Sequence, residues 1–265
     1  MNRQQLDQLF DLSGRVAIVT GGSRGIGRAI AEGYALAGAK VVIASRKAEA
    51  CNETVAAIEA AGGEALAVPT NMSDLDGLKR LAETTLDHFG GIDILVNNAA
   101  NALAQPFRQM TPEAFEKSMS VNLRGPVFLT QYCLPGLDAS EHASVINVSS
   151  AGAFLYSSFT HMYAAAKSAL LAYVRSNAAE LADAGIRVNG IAPGTIDTDL
   201  VRNNTPETQE AMAKASLLGR MADPDEVVGL AIYLASDASS FVTGATFLID
   251  GGLVPRCGTV SDRST

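Results

Sequence analysis

The chain has 265 residues, a length that suits one large α/β domain or two small domains. Hydrophobic residues make up 48% and charged residues 18%, and this balance excludes an intrinsically disordered chain. The 20 basic and 28 acidic residues give a net charge of −8 with no basic cluster, so we expect no nucleic-acid partner.

Other bulk features argue against a membrane protein and against a metal site. The longest apolar stretch, Val227 to Ala235, has nine residues, about half of a bilayer span. The stretch from Met1 to Asp11 lacks the basic-then-apolar order of a signal peptide. The cysteines and histidines are scattered, without the spacing of a disulfide framework or a zinc site. We therefore expect a cytoplasmic protein with no membrane partner and no bound metal.

Short apolar segments alternate with helical segments along the chain. The predicted strands are Val16 to Thr20, Lys40 to Ser45, Ala65 to Val68, Ile92 to Val96, Ser144 to Val148, Arg187 to Ile191 and Thr246 to Ile249. The predicted helices are Gly25 to Ala37, Ala48 to Ala61, Leu75 to Phe89, Pro112 to Leu134, Met162 to Ala182 and Asp225 to Ala235. Continuously apolar strands are typical of a sheet buried on both faces, and parallel neighbours need helical crossovers. The pattern predicts an α/β fold, a doubly wound parallel sheet of about seven strands with helices on both faces.

Two segments stand out from this alternation, although no linker or repeat divides the chain and residues 1–265 are predicted to form a single domain. Gly194 to Arg220 is the least regular part between the sixth and seventh strands. Long inserts at the carboxyl edge of a parallel sheet tend to cover substrates, so we predict a substrate lid over residues 194–220. The C-terminal tail, Leu253 to Thr265, is short and polar and is expected to be loosely held.

A glycine-rich loop joins the first predicted strand to the first helix. Residues 20–27 read TGGSRGIG. Glycines permit a tight turn in which backbone amides and the helix N-terminus face a pyrophosphate, and the position between strand and helix supports this interpretation. The loop predicts a dinucleotide site contacted by Gly21, Ser23, Arg24, Gly25, Ile26 and Gly27.

The residues after the second strand bear on which dinucleotide binds. An NAD site usually has an Asp or Glu about twenty residues beyond the loop to bind the ribose 2′-hydroxyl, whereas a 2′-phosphate needs a cation. Here Ser45 and Arg46 stand at that point, and Arg24 can approach the same phosphate. The sequence predicts NADP(H) as the preferred cofactor. If both arginines are only solvated surface charges, NAD(H) is the alternative.

Further elements follow the glycine loop in chain order: Asn97-Asn98-Ala99-Ala100, Asn122, Asn147 to Ser150, Tyr163 to Lys167, and Pro193-Gly194 with Thr198. With this ordered set the chain, from Leu12 to Gly252, resembles the classical short-chain dehydrogenase/reductase family. The resemblance implies a one-domain Rossmann-type fold, usually tetrameric or dimeric, that moves a hydride between a nicotinamide cofactor and a carbonyl or alcohol.

The resemblance also implies a catalytic tetrad of Asn122, Ser150, Tyr163 and Lys167. Tyr163 and Lys167 are four residues apart and share a helix face, and a nearby ammonium is expected to lower the pKa of the tyrosine. In the family the tyrosine exchanges a proton with the substrate oxygen and the lysine bonds the nicotinamide ribose. Ser150, rather than its neighbour Ser149, would hold the substrate oxygen. Asn122 would hold a water leading from the lysine towards solvent.

Two positions depart from the family pattern. Ala100 stands where glycine is usual and could narrow the nicotinamide site, whereas Asn71 stands where many relatives have an Asp that touches the adenine. Asn keeps an acceptor oxygen, so an adenine contact at Asn71 is still expected. The other cofactor contacts that the resemblance implies, besides Tyr163 and Lys167, are Met72, Asn98, Ala99, Ala100, Pro193, Gly194, Ile196 and Thr198.

Apolar residues surround the predicted site and bear on the substrate. They are Phe154, Leu155, Tyr156, Phe159 and Met162 before Tyr163, and Leu200, Val201, Met212, Leu217 and Leu218 in the lid. If they line the pocket, the substrate is a hydrophobic ketone or aldehyde; the alternative is that several belong to the core or a subunit interface. His161 is expected to be a surface or interface residue.

The leading hypothesis is therefore an NADP(H)-dependent carbonyl reductase acting on a small-molecule carbonyl or alcohol. The alternatives are a 3-oxoacyl thioester reductase, an NAD-dependent alcohol or polyol dehydrogenase and, outside catalysis, an NADP-sensing scaffold protein. Alanines recur along the helix that contains Tyr163 and Lys167, and its opposite face could pack on a partner helix. We predict a homo-oligomer, a tetramer or a dimer.

Overall fold

In the computed structural model, which describes residues 1–156 and 159–256, seven parallel strands form one sheet. The strands are β1 (Val16–Thr20), β2 (Lys40–Ala44), β3 (Glu64–Ala67), β4 (Ile94–Asn97), β5 (Ser144–Val148), β6 (Arg187–Pro193) and β7 (Thr246–Ile249). Their order is β3-β2-β1-β4-β5-β6-β7, so the sheet grows outward in both directions from β1 and β4. The predicted doubly wound sheet is confirmed, and strand ends agree with prediction within two residues.

Helices cover both faces of this sheet. They are α1 (Arg3–Gln8), α2 (Gly25–Leu36), α3 (Ala48–Ala60), α4 (Leu75–Phe89), α5 (Pro112–Met119), α6 (Gly125–Leu137), α7 (His161–Glu180), α8 (Asp199–Arg202), α9 (Pro206–Lys214), α10 (Val228–Ala235) and α11 (Leu253–Arg256). Neighbouring residues of β1 belong to two different hydrophobic clusters. Val19 shares one cluster with Ile30 of α2 and Leu234 of α10, whereas Ile18 shares the other with Leu81 of α4. This alternation is the period of two that a strand imposes on its side chains.

The two edge strands correct one expectation. β1, β4 and β5 are buried along their whole length, but β3 and β7 are only partly buried, and Leu248 of β7 is exposed. Each edge strand has a strand neighbour on one side only, so the helices cover it less completely. The prediction that every strand is buried on both faces is therefore wrong for β3 and β7.

The predicted helix from Pro112 to Leu134 is interrupted. α5 ends at Met119, a π-helical turn follows over Ser120–Arg124, and α6 then runs to Leu137. At the end of this turn a Cβ on Gly125 would stand 2.6 Å from the carbonyl oxygen of Met72, so the chain passes very close to a neighbouring segment. Single π turns in helices are frequent at functional sites, and this one contains Asn122.

The segment after β6 is more ordered than its sequence suggested. It contains α8 and α9, and a backbone bridge joins Ile196 to Ala222.

Near the C-terminus, the carboxylate of Asp250 accepts hydrogen bonds from the amides of Gly252 and Val254, which fixes the start of α11. Residues 257–265 of the predicted tail, with Cys257, lie outside the described residues. Among the described helices, none is long and apolar enough to cross a membrane.

Candidate active site

The predicted site residues gather at the carboxyl edge of the sheet. The glycine loop follows β1, Asn98 follows β4, Ser149 follows β5 and Gly194 follows β6. Between β1 and β4 the chain reverses the direction in which the sheet grows, and a crevice opens outside the strand ends at such a point. The topology therefore brings motifs that lie more than 170 residues apart in sequence to one cleft.

The glycine loop packs too closely for side chains. Gly25 has a φ of 51°, in the left-handed region, and a Cβ there would stand 3.0 Å from the Cγ2 of Thr198. A Cβ on Gly27 would stand 2.3 Å from the carbonyl oxygen of Gly21 and 2.4 Å from the Nδ2 of Asn98. The loop therefore lies directly on the end of β4 and on the residue before α8, with its amides at the N-terminus of α2.

Thr20 and Asn98 tie the glycine loop to β4. The buried Thr20 hydroxyl donates to the carbonyl of Val96 (3.1 Å) and accepts from the amides of Asn98 (3.0 Å) and Ala99 (3.1 Å). The Asn98 side chain donates to the Thr20 carbonyl (2.9 Å). Sequence reasoning missed Thr20, although a polar residue at the end of a buried strand was the available signal. It expected Asn98 at the cofactor, and the structure adds a bracing role.

Ser150, Tyr163 and Lys167 come together where β5 ends and α7 begins. The Tyr163 hydroxyl and the Ser150 side chain form a hydrogen bond, and Ser150 also accepts from the amide of Gly152 (3.0 Å). The neighbouring Ser149 turns away and donates to the Lys167 carbonyl (2.8 Å). The choice of Ser150 over Ser149 as the residue beside Tyr163 agrees with this geometry.

Lys167 is buried among uncharged groups. Its ammonium donates to the Val148 carbonyl (2.6 Å) and lies 5.7 Å from the centre of the Tyr163 ring, and only 2% of the residue is exposed. Burial lowers the pKa of Lys167 to about 8, because desolvation penalises the charged form.

The pKa of Tyr163 moves against the expectation. Burial raises it above the ordinary value, and the hydrogen bond with Ser150 works in the opposite direction without cancelling that effect. The expected lowering by Lys167 is wrong for this arrangement, because the ammonium is directed at the Val148 carbonyl and is itself destabilised by burial.

Asn122 braces the loop after β4. Its Oδ1 accepts from the amide of Asn101 (2.9 Å), and its Nδ2 donates to the carbonyl of Asn101 (2.8 Å) and lies 3.3 Å from the Ser118 hydroxyl. The side chain is fully buried, so both ends of the carboxamide are satisfied by protein. Asn101 was not identified from the sequence. Water binding at Asn122 stays a prediction.

On the adenine side of the crevice the described contacts are made mostly by backbone. The Ser45 carbonyl accepts from the amide of Thr70 (2.8 Å), and the Asn71 side chain accepts from the amide of Ser73 (3.1 Å). Met72 is buried, whereas Arg46 is exposed. The Asn71 oxygen therefore has one acceptor site in use, and its second acceptor site and its Nδ2 are left for an adenine.

Arg24 is a residue of the glycine loop itself, and 70% of its side chain is exposed. It ion-pairs with Asp199 at 3.4 Å. Two accessible guanidinium groups, Arg24 and Arg46, and the absence of a carboxylate at Ser45-Arg46-Lys47 fit a phosphorylated ribose.

The segment after β6 closes the other end of the crevice. A Cβ on Gly194 would stand 2.7 Å from the Cα of Asp250, so Pro193-Gly194 passes directly beside the end of β7. Ile196 is buried, and the Thr198 hydroxyl lies 3.4 Å from its carbonyl. Across the crevice Ala100 is exposed, which places its methyl group at the surface of the site.

Large apolar side chains near the site are exposed and not packed in the core. Phe154, Phe159 and Leu200 are exposed, as is 97% of Tyr156, and Leu217 and Leu218 are similar. Val201 is buried, and Leu155, Met162 and Met212 are half-buried. The core alternative is therefore wrong for the exposed side chains, and they are available to a substrate or to a partner chain.

His161 lies beside a small void at the start of α7. The void, of about 10 Å³, is also lined by Leu103, Gln105 and Met110, and the Nε2 of His161 and the Oε1 of Gln105 are buried there without a hydrogen-bond partner. A void of this size holds about one water. Ser118, which accepts from the Nδ2 of Asn122, also lines this void.

Comparison with known proteins gives a consistent result. A family model described as enoyl-(acyl carrier protein) reductase matches residues 21–254. The chain is 37% identical to a 3-oxoacyl-[acyl-carrier-protein] reductase of Synechocystis, covering 92% of this chain and 98% of that protein. It is 38% identical to an L-rhamnose 1-dehydrogenase (NAD(P)(+)) of Azotobacter vinelandii, covering 90% and 96%, and 35% identical to a galactitol 2-dehydrogenase of Agrobacterium fabrum, covering 91% and 98%.

Solved structures give the same picture. A short-chain type dehydrogenase/reductase from Mycobacterium marinum superposes with a TM-score of 0.89 at 34% identity, covering 93% of this chain and 98% of that one. A dehydrogenase/reductase from Sinorhizobium meliloti gives a TM-score of 0.90 at 34% identity, covering 94% and 99%.

Proposed function

Because the chain belongs to the classical short-chain dehydrogenase/reductase family and is an NAD(P)-dependent oxidoreductase, we propose that it moves a hydride between NADP(H) and a carbonyl or secondary alcohol. The favoured direction is reduction of a hydrophobic ketone or aldehyde. The proposal includes a homo-oligomer, a tetramer or dimer, in the cytoplasm. The observation that carries it is the cluster of Ser150, Tyr163 and Lys167 beside the glycine loop.

The three side chains divide the proton chemistry. The nicotinamide supplies or accepts the hydride at carbon. The Tyr163 hydroxyl donates the proton to the substrate oxygen in reduction, and Ser150, already hydrogen-bonded to Tyr163, holds that oxygen and stabilises the charge that develops on it. Lys167, whose ammonium lies 5.7 Å from the Tyr163 ring centre and donates to the Val148 carbonyl, would bond the nicotinamide ribose and so orient the ring for hydride transfer. Asn122 acts at a distance by holding Asn101 and the loop after β4 in place.

Electrostatics around the crevice support NADP(H). A 2′-phosphate is best bound by guanidinium groups, and Arg24 and Arg46 are both accessible. The position after β2 that would carry a carboxylate in an NAD site is Ser45-Arg46 instead.

The charge pairs of the predicted lid favour a small neutral carbonyl compound as the substrate. Its cations are neutralised locally: Arg202 pairs with Asp197, Lys214 with Glu210 and Arg220 with Glu226. The exposed Phe154, Phe159 and Leu200 add apolar surface at the same edge. These features favour hydrophobic bulk in the substrate over an anionic carrier.

A second candidate is reduction of a 3-oxoacyl thioester. The relative from Synechocystis favours it, and the family model, described as enoyl-(acyl carrier protein) reductase, shares with it only the carrier-borne acyl group. The paired lid cations weigh against it, because a carrier-borne phosphate needs an available positive charge.

The test is a fluorescence titration with NADPH and NADH, followed by ketones, aldehydes, 3-oxoacyl thioesters and polyols. We expect NADPH to bind at least tenfold more tightly, and Arg24→Ala or Arg46→Ala to remove most of that preference. Arg28→Ala is the matched control, since Arg28 in α2 pairs with Glu32. Equal binding of both cofactors would refute the NADP(H) assignment, and binding of neither would refute the catalytic proposal.

A further inference from the structure

We infer that Asp199, the first residue of α8, is a specificity-determining residue that competes with the 2′-phosphate of NADP(H) for Arg24. The inference rests on the proposed NADP(H) function and adds to it. It makes the Arg24 guanidinium a group shared between the cofactor site and the predicted lid, so that the identity of the cofactor alters how α8 is held.

The glycine loop and the start of α8 are in direct contact. Arg24 Nη1 lies 3.4 Å from Asp199 Oδ2. Next to this pair, Thr198 lies so close to Gly25 that a Cβ on the glycine would stand 3.0 Å from its Cγ2. Two consecutive loop residues therefore contact two consecutive residues at the entry to α8.

The ion pair is accessible and weak, so a stronger anion can replace it. The side chains of Arg24 and Asp199 are 70% and 57% exposed, and they share a single contact. On the same segment Arg202 holds Asp197 through two bonds of 2.8 and 3.0 Å. A phosphate can take two parallel bonds from one guanidinium and carries more negative charge than a carboxylate. Arg24 is therefore able to leave Asp199 for a 2′-phosphate.

The cost of this exchange falls on NADP(H) alone. When Arg24 turns to the 2′-phosphate, Asp199 loses its counter-ion, and the lost ion pair subtracts from the affinity for NADP(H). NAD(H) carries no 2′-phosphate and leaves the pair intact. A neutral residue at position 199 should therefore favour NADP(H) over NAD(H). The size of the effect is limited by the weakness of an exposed pair, so we expect a two- to fivefold change in affinity.

α8 should respond to the exchange. It has four residues, and Val201 is its buried one. The Asn204 side chain also donates to the carbonyls of Leu200 and Val201, so the Arg24 pair matters as the ion pair that joins α8 to the glycine loop. When Arg24 binds the phosphate, amides of α8 should exchange with solvent faster than they do with NAD(H) bound.

Binding measurements with Asp199→Asn test the competition. NADPH and adenosine 2′,5′-bisphosphate, which has no nicotinamide, should each bind two- to fivefold more tightly, while NADH affinity is unchanged. Asp197→Asn is the matched control. It removes the same charge two residues from Asp199, but Asp197 pairs with Arg202 and not with Arg24. In an Arg24→Ala background, Asp199→Asn should have no effect.

Hydrogen exchange on α8 provides a second readout. The wild type should show faster exchange over residues 199–202 with NADPH than with NADH, and Asp199→Asn should show no such difference. Equal effects of Asp197→Asn and Asp199→Asn, or an effect of Asp199→Asn that persists without Arg24, would overturn the inference. If NADPH is preferred but Asp199→Asn changes nothing, the inference fails and the proposed function stands. If the wild type binds NADPH and NADH equally, both this inference and the NADP(H) proposal fail.

Discussion

Tyr163 is the side chain through which the proposed proton transfer runs. Phe at this position keeps the ring beside the Lys167 ammonium and removes the hydroxyl that bonds Ser150. We expect Tyr163→Phe to lower kcat by about 10²–10⁴-fold while NADPH affinity changes little, because general acid catalysis contributes about that much. Steady-state kinetics and NADPH titration measure the two effects. Tyr132→Phe, at a tyrosine of α6 outside the predicted site, should leave both unchanged. Near-normal turnover of Tyr163→Phe would show that another group supplies the proton.

Lys167 makes stability depend on pH in a defined window. Its pKa is about 8 in the folded chain and near 10.5 when unfolded, so between these values the unfolded state binds more protons. The cost of burying the ammonium is fully present below pH 8 and is relieved as the pH rises. The free energy of unfolding of the cofactor-free protein should therefore rise by roughly 2 kcal/mol from pH 8 to pH 10, relative to Lys167→Met. Denaturant titrations of both proteins at several pH values measure this difference. Parallel profiles would mean that the lysine is solvated in solution.

The family resemblance, not spacing alone, made Ser150, Tyr163 and Lys167 candidates, and the structure places them together where β5 ends and α7 begins. Neither was enough to find Thr20 or Asn101. Thr20 acts on the backbone of Asn98, 78 positions later, and Asn101 is held by Asn122 through backbone atoms that every residue possesses. The pKa of Tyr163 was also misjudged, because burial depends on the packing of the whole cleft.

At the scale of elements, the strands were the easier part of the prediction. A buried strand such as β1 has four apolar residues in a row between Arg15 and Thr20, so its ends are visible in the sequence. The helix predicted from Pro112 to Leu134 failed because periodicity over a long window does not resolve the wider π turn at Ser120–Arg124. Gly125 and Pro126, directly after that turn, were the local signal.

The joint between β1 and α2 should tolerate no side chain at Gly27. An Ala there would put its Cβ 2.3 Å from the Gly21 carbonyl and 2.4 Å from the Asn98 side chain. We expect Gly27→Ala to lower the free energy of unfolding by about 1–3 kcal/mol, as overpacking does, and to weaken NADPH binding at least tenfold by displacing the loop. Gly229→Ala is the control: it lies in α10 with no atom within 4 Å of the new Cβ and should stabilise the protein by about 0.5–1 kcal/mol. Unchanged cofactor affinity of Gly27→Ala would mean that the loop can shift without consequence.

At the scale of the whole molecule, some surface remains that the chain does not cover itself. Along α7, Ala165, Ala172 and Ala179 are exposed at a spacing of seven residues, whereas Ala164 and Ala178 are buried. A seven-residue spacing keeps side chains on one face of a helix, and Ala172 lies about 180° from Tyr163 around the axis. The exposed face is therefore the one turned away from the catalytic side chains. Small residues allow another helix to approach closely, which supports the proposed homo-oligomer.

This face gives the assembly a direct test. Ala172→Arg places a long charged side chain in the proposed contact, where a close helix pair has no room for it, while an isolated helix accepts Arg nearly as well as Ala. We expect the wild type to scatter light as a dimer or as a tetramer of four 27.5 kDa chains, and Ala172→Arg as a smaller species with an unchanged circular dichroism spectrum. Ala56→Arg, on the exposed side of α3, should keep the wild-type mass. A wild type that elutes at 27.5 kDa would refute the homo-oligomer. An Ala172→Arg protein of wild-type mass would mean that the contact lies on another face. The exposed Leu248 of edge strand β7 would then be the next residue to change.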